Sequence, residues 1–311
     1  MPTERFSFLS SDGMTAVSAY RVAPRGKARA MVQISHGMCE YFLRYEGFSH
    51  YLAEQGILVF GHDHLGHGNT APDADSLGFT KTGGGAECLV EDVHLLSLSM
   101  KKENPDLPLI LFGHSMGSFV ARAVIERYGE DYAGAILCGT GGPDTPAAAG
   151  KLLASLLMKL FGERHRSPLL KSISFAGYNK RYEQPCNRNA WLTRDESVIE
   201  AYNADPYCQY VFTLRAYHDL FSLVAQVNRC EWAERVPRKL PLLLISGEED
   251  PVGSWGKGVR MVGDLLRKAG HADLTQTLYS EMRHEILNEL GKERVWEDVY
   301  QWIEQKSASL I

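Results

Sequence analysis

The chain of 311 residues predicts an α/β fold, a mostly parallel central sheet flanked by helices, with a helical segment inserted late in the sheet. Three observations predict it. From residue 30 onward, short apolar runs of strand length alternate with longer segments of helical period, the pattern of βαβ units covered on both faces. Between about 141 and 236 the alternation stops and only helical patterns remain. One apolar run ends on Gly113-His-Ser-Met-Gly117, and a helical pattern starts directly behind it. The expected division is a sheet-and-helix core over 1–140 and 236–311, with 141–235 as a helical cap, or lid.

The elements follow in order. Arg5–Leu9 and Ala16–Val22 flank Ser11-Asp-Gly13, a turn signal suited to a hairpin. Ala30–Ser35 is a third strand, running into His36-Gly37. A helix is expected from about Phe42 to Gln55, a strand over Ile57–Phe60, and a helix from about Ala86 to Lys102. Leu107-Pro-Leu-Ile-Leu-Phe112 enters Gly113 as a strand, and Ser118–Tyr128 keeps an apolar face at helical spacing before the Gly129 stop. Ala133–Cys138 is the next strand. After the insertion come a strand over Leu240–Ser246, a helix near Lys257–Ala269, a strand over Leu274–Tyr279 and a last helix from about Glu293 to Gln305.

The five letters Gly-x-Ser-x-Gly mean little alone in a glycine-rich chain. Between a strand and a helix they mean more. A serine at the apex of such an elbow must adopt a strained backbone, and side chains at Gly113 or Gly117 would collide with neighbouring backbone. Ser115 is therefore the candidate nucleophile. A hydroxyl needs a base, and the base needs an orienting carboxylate; on such elbows the chain order is serine, carboxylate, histidine. Of the histidines after the resumed strands, His271 precedes the last strand and His284 follows it, at the strand edge where Ser115 sits. His284 is the expected base. Glu248, Glu249 and Asp250 lie on the matching loop of the strand ending near Ser246; Asp250, stiffened by Pro251, is preferred over Glu248. The backbone N–H groups of Met116, at a helix start, and Met38, after Gly37, are the expected oxyanion donors. Gly37, His114 and Val252 are the expected substrate contacts.

Bulk properties exclude other classes. Net charge is −5 with no dense basic run, so nucleic acid is not an expected partner. The six cysteines are scattered without a Cys-x-x-Cys pair and read as free thiols. No apolar signal or spanning segment appears, which points to a cytoplasmic protein. His62, His64 and His67 suggest a metal cluster, but alternate side chains point apart and no further cysteine completes a set; no metal or cofactor is expected.

These blocks resemble those of a known family. His36-Gly-Met-Cys-Glu40 with Arg44-Tyr45, Gly61-His-Asp-His-Leu-Gly-His-Gly68, Gly113-His-Ser-Met-Gly117, Gly247-Glu-Glu-Asp-Pro-Val252, His284 and Ala201-Tyr-Asn-Ala-Asp-Pro206 are similar to those of α/β-hydrolases of the monoacylglycerol lipase and lysophospholipase-like group, related to the serine aminopeptidase branch. The resemblance implies an ester hydrolase acting on a small-molecule ester or lipid. Met38, Cys39, Tyr41-Phe42 and Ser118 depart from the usual pattern around the oxyanion loop and elbow. Ala147–Phe161 places Leu152, Leu153, Leu156, Leu157, Leu160 and Phe161 opposite Lys151, Ser155 and Lys159, a face that covers the acyl pocket or meets a lipid surface. Two rival functions stand. One is an aminopeptidase, amidase or carbon–carbon hydrolase, whose cap acid would be one of Glu183, Asp195, Glu196 or Asp205. The other is a non-catalytic receptor of the same fold.

Overall fold

The computed structural model describes residues 1–182 and 188–308; Glu183 and Cys186 lie outside them. Eight strands form one sheet: β1 (Thr3–Leu9), β2 (Ala16–Val22), β3 (Ala30–Ser35), β4 (Ile57–His62), β5 (Leu109–His114), β6 (Gly134–Cys138), β7 (Leu242–Gly247) and β8 (Leu274–Tyr279). Their spatial order is β1-β2-β4-β3-β5-β6-β7-β8. The β1–β2 hairpin and the β2–β4 pair are antiparallel, and every pair from β4 to β8 is parallel.

Strands β3 to β7 are buried at every position, because helices cover both faces; that is why their sequences read as unbroken apolar runs. Alternate residues serve two cores. Val32, Ile34, Ile110 and Phe112 pack beneath α1 (Glu46–Glu54) and α10 (Lys292–Ala308). Met31, Leu109, Leu111 and Leu244 pack against α2 (Gly85–Glu103), α3 (Met116–Tyr128) and α9 (Lys257–Lys268). The expected element types hold throughout, with shifted ends: the segment expected as helix from Phe42 begins as a 3-10 turn, Phe42–Tyr45, and α3 starts at Met116.

The insertion holds α4 (Ala147–Phe161), α5 (Pro168–Ser174), α6 (Glu196–Ala204), α7 (Leu214–Val227) and α8 (Cys230–Arg235). Its described residues contain no strand, only an isolated bridge between Arg166 and Thr213. The segment is not uniform. Leu223, Val224 and Val227 of α7 and Trp232 of α8 join the same apolar cluster as the sheet. Arg122 of α3 is fully buried and ties both ends down: it donates to the Gly141 carbonyl at 3.1 Å and to that of Val227, and lies 4.2 Å from the Trp232 ring. Burial pushes its guanidinium down to about 9. No helix among the described residues is long and apolar enough to cross a membrane.

Candidate active site

The parallel register sets β3, β5, β6, β7 and β8 to end at one edge, with Ser35 beside Gly113, His114 beside Cys138 and Gly247 beside Tyr279. The loops that leave this edge carry the candidate residues. Ser115 has φ +53° and ψ −120°, a conformation that non-glycine residues hold only under constraint. The flanking glycines are forced. A Cβ on Gly113 would lie 2.4 Å from the Gly117 carbonyl oxygen, and one on Gly117 would lie 2.0 Å from that of Ser35. Ser118 donates its hydroxyl to the Ser115 carbonyl at 2.6 Å, so the departure from glycine there braces the elbow.

His284 and Asp250 meet at the same edge. The imidazole Nδ1 is 2.9 Å from Asp250 Oδ1, with both side chains buried. Burial alone would raise the Asp250 carboxyl; the His284 ring, the Ser246 hydroxyl at 2.9 Å and the Val252 amide at 2.8 Å outweigh it and hold the group below its usual range. Glu248 is exposed. His271 sits elsewhere, bonded to the Ala233 carbonyl at 3.0 Å. The Ser115 hydroxyl makes no hydrogen bond to His284 here; the two residues share the wall of one cavity.

Met38 and Met116 also line that cavity, and neither amide donates to another described group. The aim of the Met38 N–H has a local cause. His36 Nδ1 lies 2.8 Å from the Gly37 carbonyl, and His36 Nε2 accepts the His64 N–H at 2.9 Å, which assigns the ring proton to Nδ1. In a trans peptide the Gly37 carbonyl and the Met38 N–H point opposite ways, so fixing the one toward His36 turns the other away from it. Gly37 itself does not line the cavity. Its N–H goes to the Glu40 carboxylate, and a Cβ there would lie 3.0 Å from that of Ser115. Cys39, at φ +55°, occupies a left-handed position where glycine is relaxed; burial pushes its thiol up to about 12, so it stays protonated at the cavity wall.

The cavity measures about 1270 Å³, beyond the usual range for small-ligand pockets. Its apolar wall includes Met38, Met116, Leu153, Leu220 and Phe221, which share one apolar cluster, and Phe119 from the core beneath. Phe175, Tyr178, Trp191 and Val252, from a second apolar cluster, also line it. His114 lies on the wall, yet its ring is engaged by protein: Nδ1 at 2.8 Å from the Tyr45 hydroxyl and 3.1 Å from Glu40, Nε2 at 3.3 Å from the His284 carbonyl. Val252 also lines the wall.

Sequence reasoning missed the network beneath the site. Arg44 forms a two-pronged pair with Glu285, each bond 2.7 Å, and reaches Glu40 at 3.0 Å. Glu40 in turn accepts from Gly37, Tyr45 and His114. One buried carboxylate thus links the Gly37–Met38 loop, through His114, to the backbone of His284. The motif containing Glu40, Arg44 and Tyr45 was the available signal; its partner Glu285, 241 residues away, gave none. The rings of His36, His62, His64 and His67 pack on one another at 4.4 to 5.1 Å. Among the described residues no group of three or more His, Cys, Asp or Glu could hold a metal ion. The described cysteines are free thiols.

Comparison with known proteins fits this geometry. The human protein "Monoglyceride lipase" is 26% identical over 300 residues, covering 92% of this chain and 86% of its own. The crystal structure of a thermostable carboxyl esterase from Bacillus coagulans, in complex with glycerol, superposes with a TM-score of 0.92 at 31% identity, covering 99% of each chain. A structure described as "Lipase (Open form)" superposes with a TM-score of 0.89 at 28% identity, covering 98% of this chain and 99% of its own. The family model described as "Serine aminopeptidase, S33" matches residues 26–291; with an eight-stranded hydrolase sheet and these relatives, the chain belongs to that family of α/β-hydrolases.

Proposed function

We propose that the protein is a serine hydrolase of carboxylic esters with an apolar acyl chain, with monoacylglycerols and lysophospholipids the leading substrates. Supporting this reading is the buried 2.9 Å His284–Asp250 pair at the wall of a large, mostly apolar cavity that Ser115 also lines. The Ser115 hydroxyl attacks the acyl carbon while His284 Nε2 takes its proton and Asp250 holds the Nδ1–H tautomer. The Met38 and Met116 amides receive the oxyanion, each worth ~2.7–4 kcal/mol in the transition state. The alcohol leaves with the proton from His284, and water repeats the sequence on the acyl-enzyme. Ser115→Ala should fold normally and lower p-nitrophenyl ester turnover by about 10⁶-fold; near-normal turnover would overturn the assignment.

The charges around the cavity favour an ester over a substrate with a free amine. Glu40 and Glu285 are held by Arg44, and Asp144 by Lys257 at 3.5 Å. Asp195 caps α6, and Asp205 accepts the Tyr41 hydroxyl at 2.6 Å. No unpaired carboxylate lines the cavity among the described residues. Parallel assay of p-nitrophenyl esters and amino-acid anilides tests this, and exclusive anilide turnover would reverse the choice.

The outer edge of the cap supports contact with lipid. Leu153 and Leu157 of α4 turn inward, whereas Leu152, Leu156, Leu160 and Phe161 are each more than half exposed, as are Leu169 and Ile173 of α5. Contiguous exposed apolar side chains are costly without a partner. Leu156→Asp with Leu160→Asp should abolish co-sedimentation with liposomes and leave turnover of a short soluble ester unchanged; equal binding would remove the contact.

A further inference from the structure

The His284 loop is held from above as well as from the sheet. The Trp191 carbonyl accepts the His284 N–H at 3.4 Å, and the Leu192 carbonyl accepts that of Glu285 at 2.7 Å. Arg283 donates to the carbonyls of Ala190 at 2.6 Å and Thr193 at 3.0 Å. Arg194 bonds Glu289 through its amide at 3.0 Å and its Nε at 3.1 Å. Five consecutive cap residues therefore grip the loop that carries the imidazole. The Trp191 ring completes the grip: its centroid lies 5.0 Å from that of His284, at a tilt of 39°. Tyr178 at 5.2 Å and Phe175 at 5.7 Å pack against the indole in turn.

We propose that Trp191 is a positioning residue for His284, its indole and its carbonyl holding the imidazole on Asp250 and favouring the cation that the imidazole becomes. This rests on the reading of Ser115, Asp250 and His284 given above. The cap segment 190–194 is then part of the catalytic apparatus, not a removable cover. The physical reason is the indole quadrupole, whose negative face attracts a cation more strongly when water is excluded. Charged and titratable groups around the imidazole come from every neighbouring element: Asp250 after β7; Cys138 at the end of β6, a buried thiol whose value burial and Asp250 raise; His114 at the end of β5, itself paired with Glu40; Arg283 and Glu285 on its own loop; Arg44 from the 3-10 turn; Tyr178 and Tyr182 from the cap. The described ring contacts of His284 are with His114, at 4.8 Å, and Trp191. The first carries its own counter-ion, which leaves the indole to act on the imidazolium.

The test uses the full chain with Trp191→Leu, Trp191→Met and Trp191→Phe, assayed on p-nitrophenyl butyrate from pH 5 to 9, with thermal unfolding alongside. Trp191→Leu should lower kcat by about 10-fold with KM little changed, and move the acid limb of the kcat/KM profile about half a pH unit lower. The sign follows from the loss of a group that favours the protonated ring. Trp191→Phe, which keeps an aromatic face, should recover most of both effects. Trp191→Met keeps the bulk without the face and decides the matter if the leucine variant fails to fold. A variant without the ring that keeps the kcat and pH profile of the parent would overturn the proposal, as would a loss confined to KM. Ser115→Ala separates the two levels: if it stays active the underlying reading fails, and if it is inactive beside an unaffected Trp191→Met only the role of Trp191 fails.

Discussion

Two groups of histidines in this molecule are about equally buried and chemically opposite. His36, His62, His64 and His67 pack together near the Gly37–Met38 loop, and the hydrogen-bond partners of their rings are neutral: the Ser35 hydroxyl, the Gly37 and Leu65 carbonyls, and the His64 amide. Burial drives them down, His36 and His62 to about 3 and His67 to about 4. They are neutral scaffolding. His114 ends β5 and His284 follows β8; they are no better solvated, yet each faces a carboxylate, Glu40 or Asp250. For His114 burial lowers and Glu40 raises, and Glu40 wins: the ring titrates above its ordinary value. Burial sets the cost of the imidazolium; a hydrogen-bonded anion decides whether the ring accepts a proton at all.

The strongest way to break this comparison is to make the second group resemble the first. Asp250→Asn replaces the anion beside His284 by a neutral amide of the same shape. Under the proposed mechanism it should lower kcat by about 10⁴-fold, because the amide favours the wrong tautomer and leaves the imidazolium without its counter-charge. Folding should persist, since the amide oxygen still accepts the Ser246 hydroxyl at the Oδ2 position and only the Val252 amide loses its acceptor. A variant that keeps turnover within 10-fold would mean that the carboxylate is dispensable and that the two groups differ in name only.

The sheet was legible because its strands are buried on both faces and its helices on one, which produces two distinct periods. The helix starts were less so. Met116 enters α3 from a strained serine, and nothing in Met116-Gly-Ser118 resembles a cap. Chain order and strand edge led to His284 and Asp250 because a parallel sheet delivers every loop to one rim. Trp191 was legible as part of a cap loop shaping the pocket, but its contact with His284, like that of Glu285 with Arg44, was opaque for the opposite reason. Trp191 reaches His284 from an irregular segment with no periodicity to extrapolate, and Glu285 meets Arg44 across most of the chain. The amphipathic stripe of α4 was visible, but not its split: a helix tilted between cavity and solvent divides Leu153 and Leu157 from Leu152 and Leu156, and one helical wheel cannot distinguish these sides.

A gentler change sharpens the comparison from the side of the scaffold. Both ring nitrogens of His62 are buried without a partner, and the ring packs edge-on to Phe8 at 5.6 Å and to His64 at 4.8 Å. With its folded value near 3 and an unfolded value near 6.5, this histidine binds a proton in the unfolded chain that the folded chain refuses throughout the interval between. Its contribution is therefore complete above about pH 6.5 and is lost as pH falls toward 3. His62→Phe removes that titration and two unsatisfied polar atoms while keeping a flat ring. Urea unfolding at pH 4.5, 5.0 and 5.5 should show the dependence of stability on pH reduced by about 1.4 kcal/mol per pH unit, with ester turnover at pH 8 within about 2-fold of the parent. An unchanged slope would mean that His62 takes up its proton inside the fold. Burial without an anion would then be insufficient to keep an imidazole neutral here, and the two groups would differ by less than their surroundings imply.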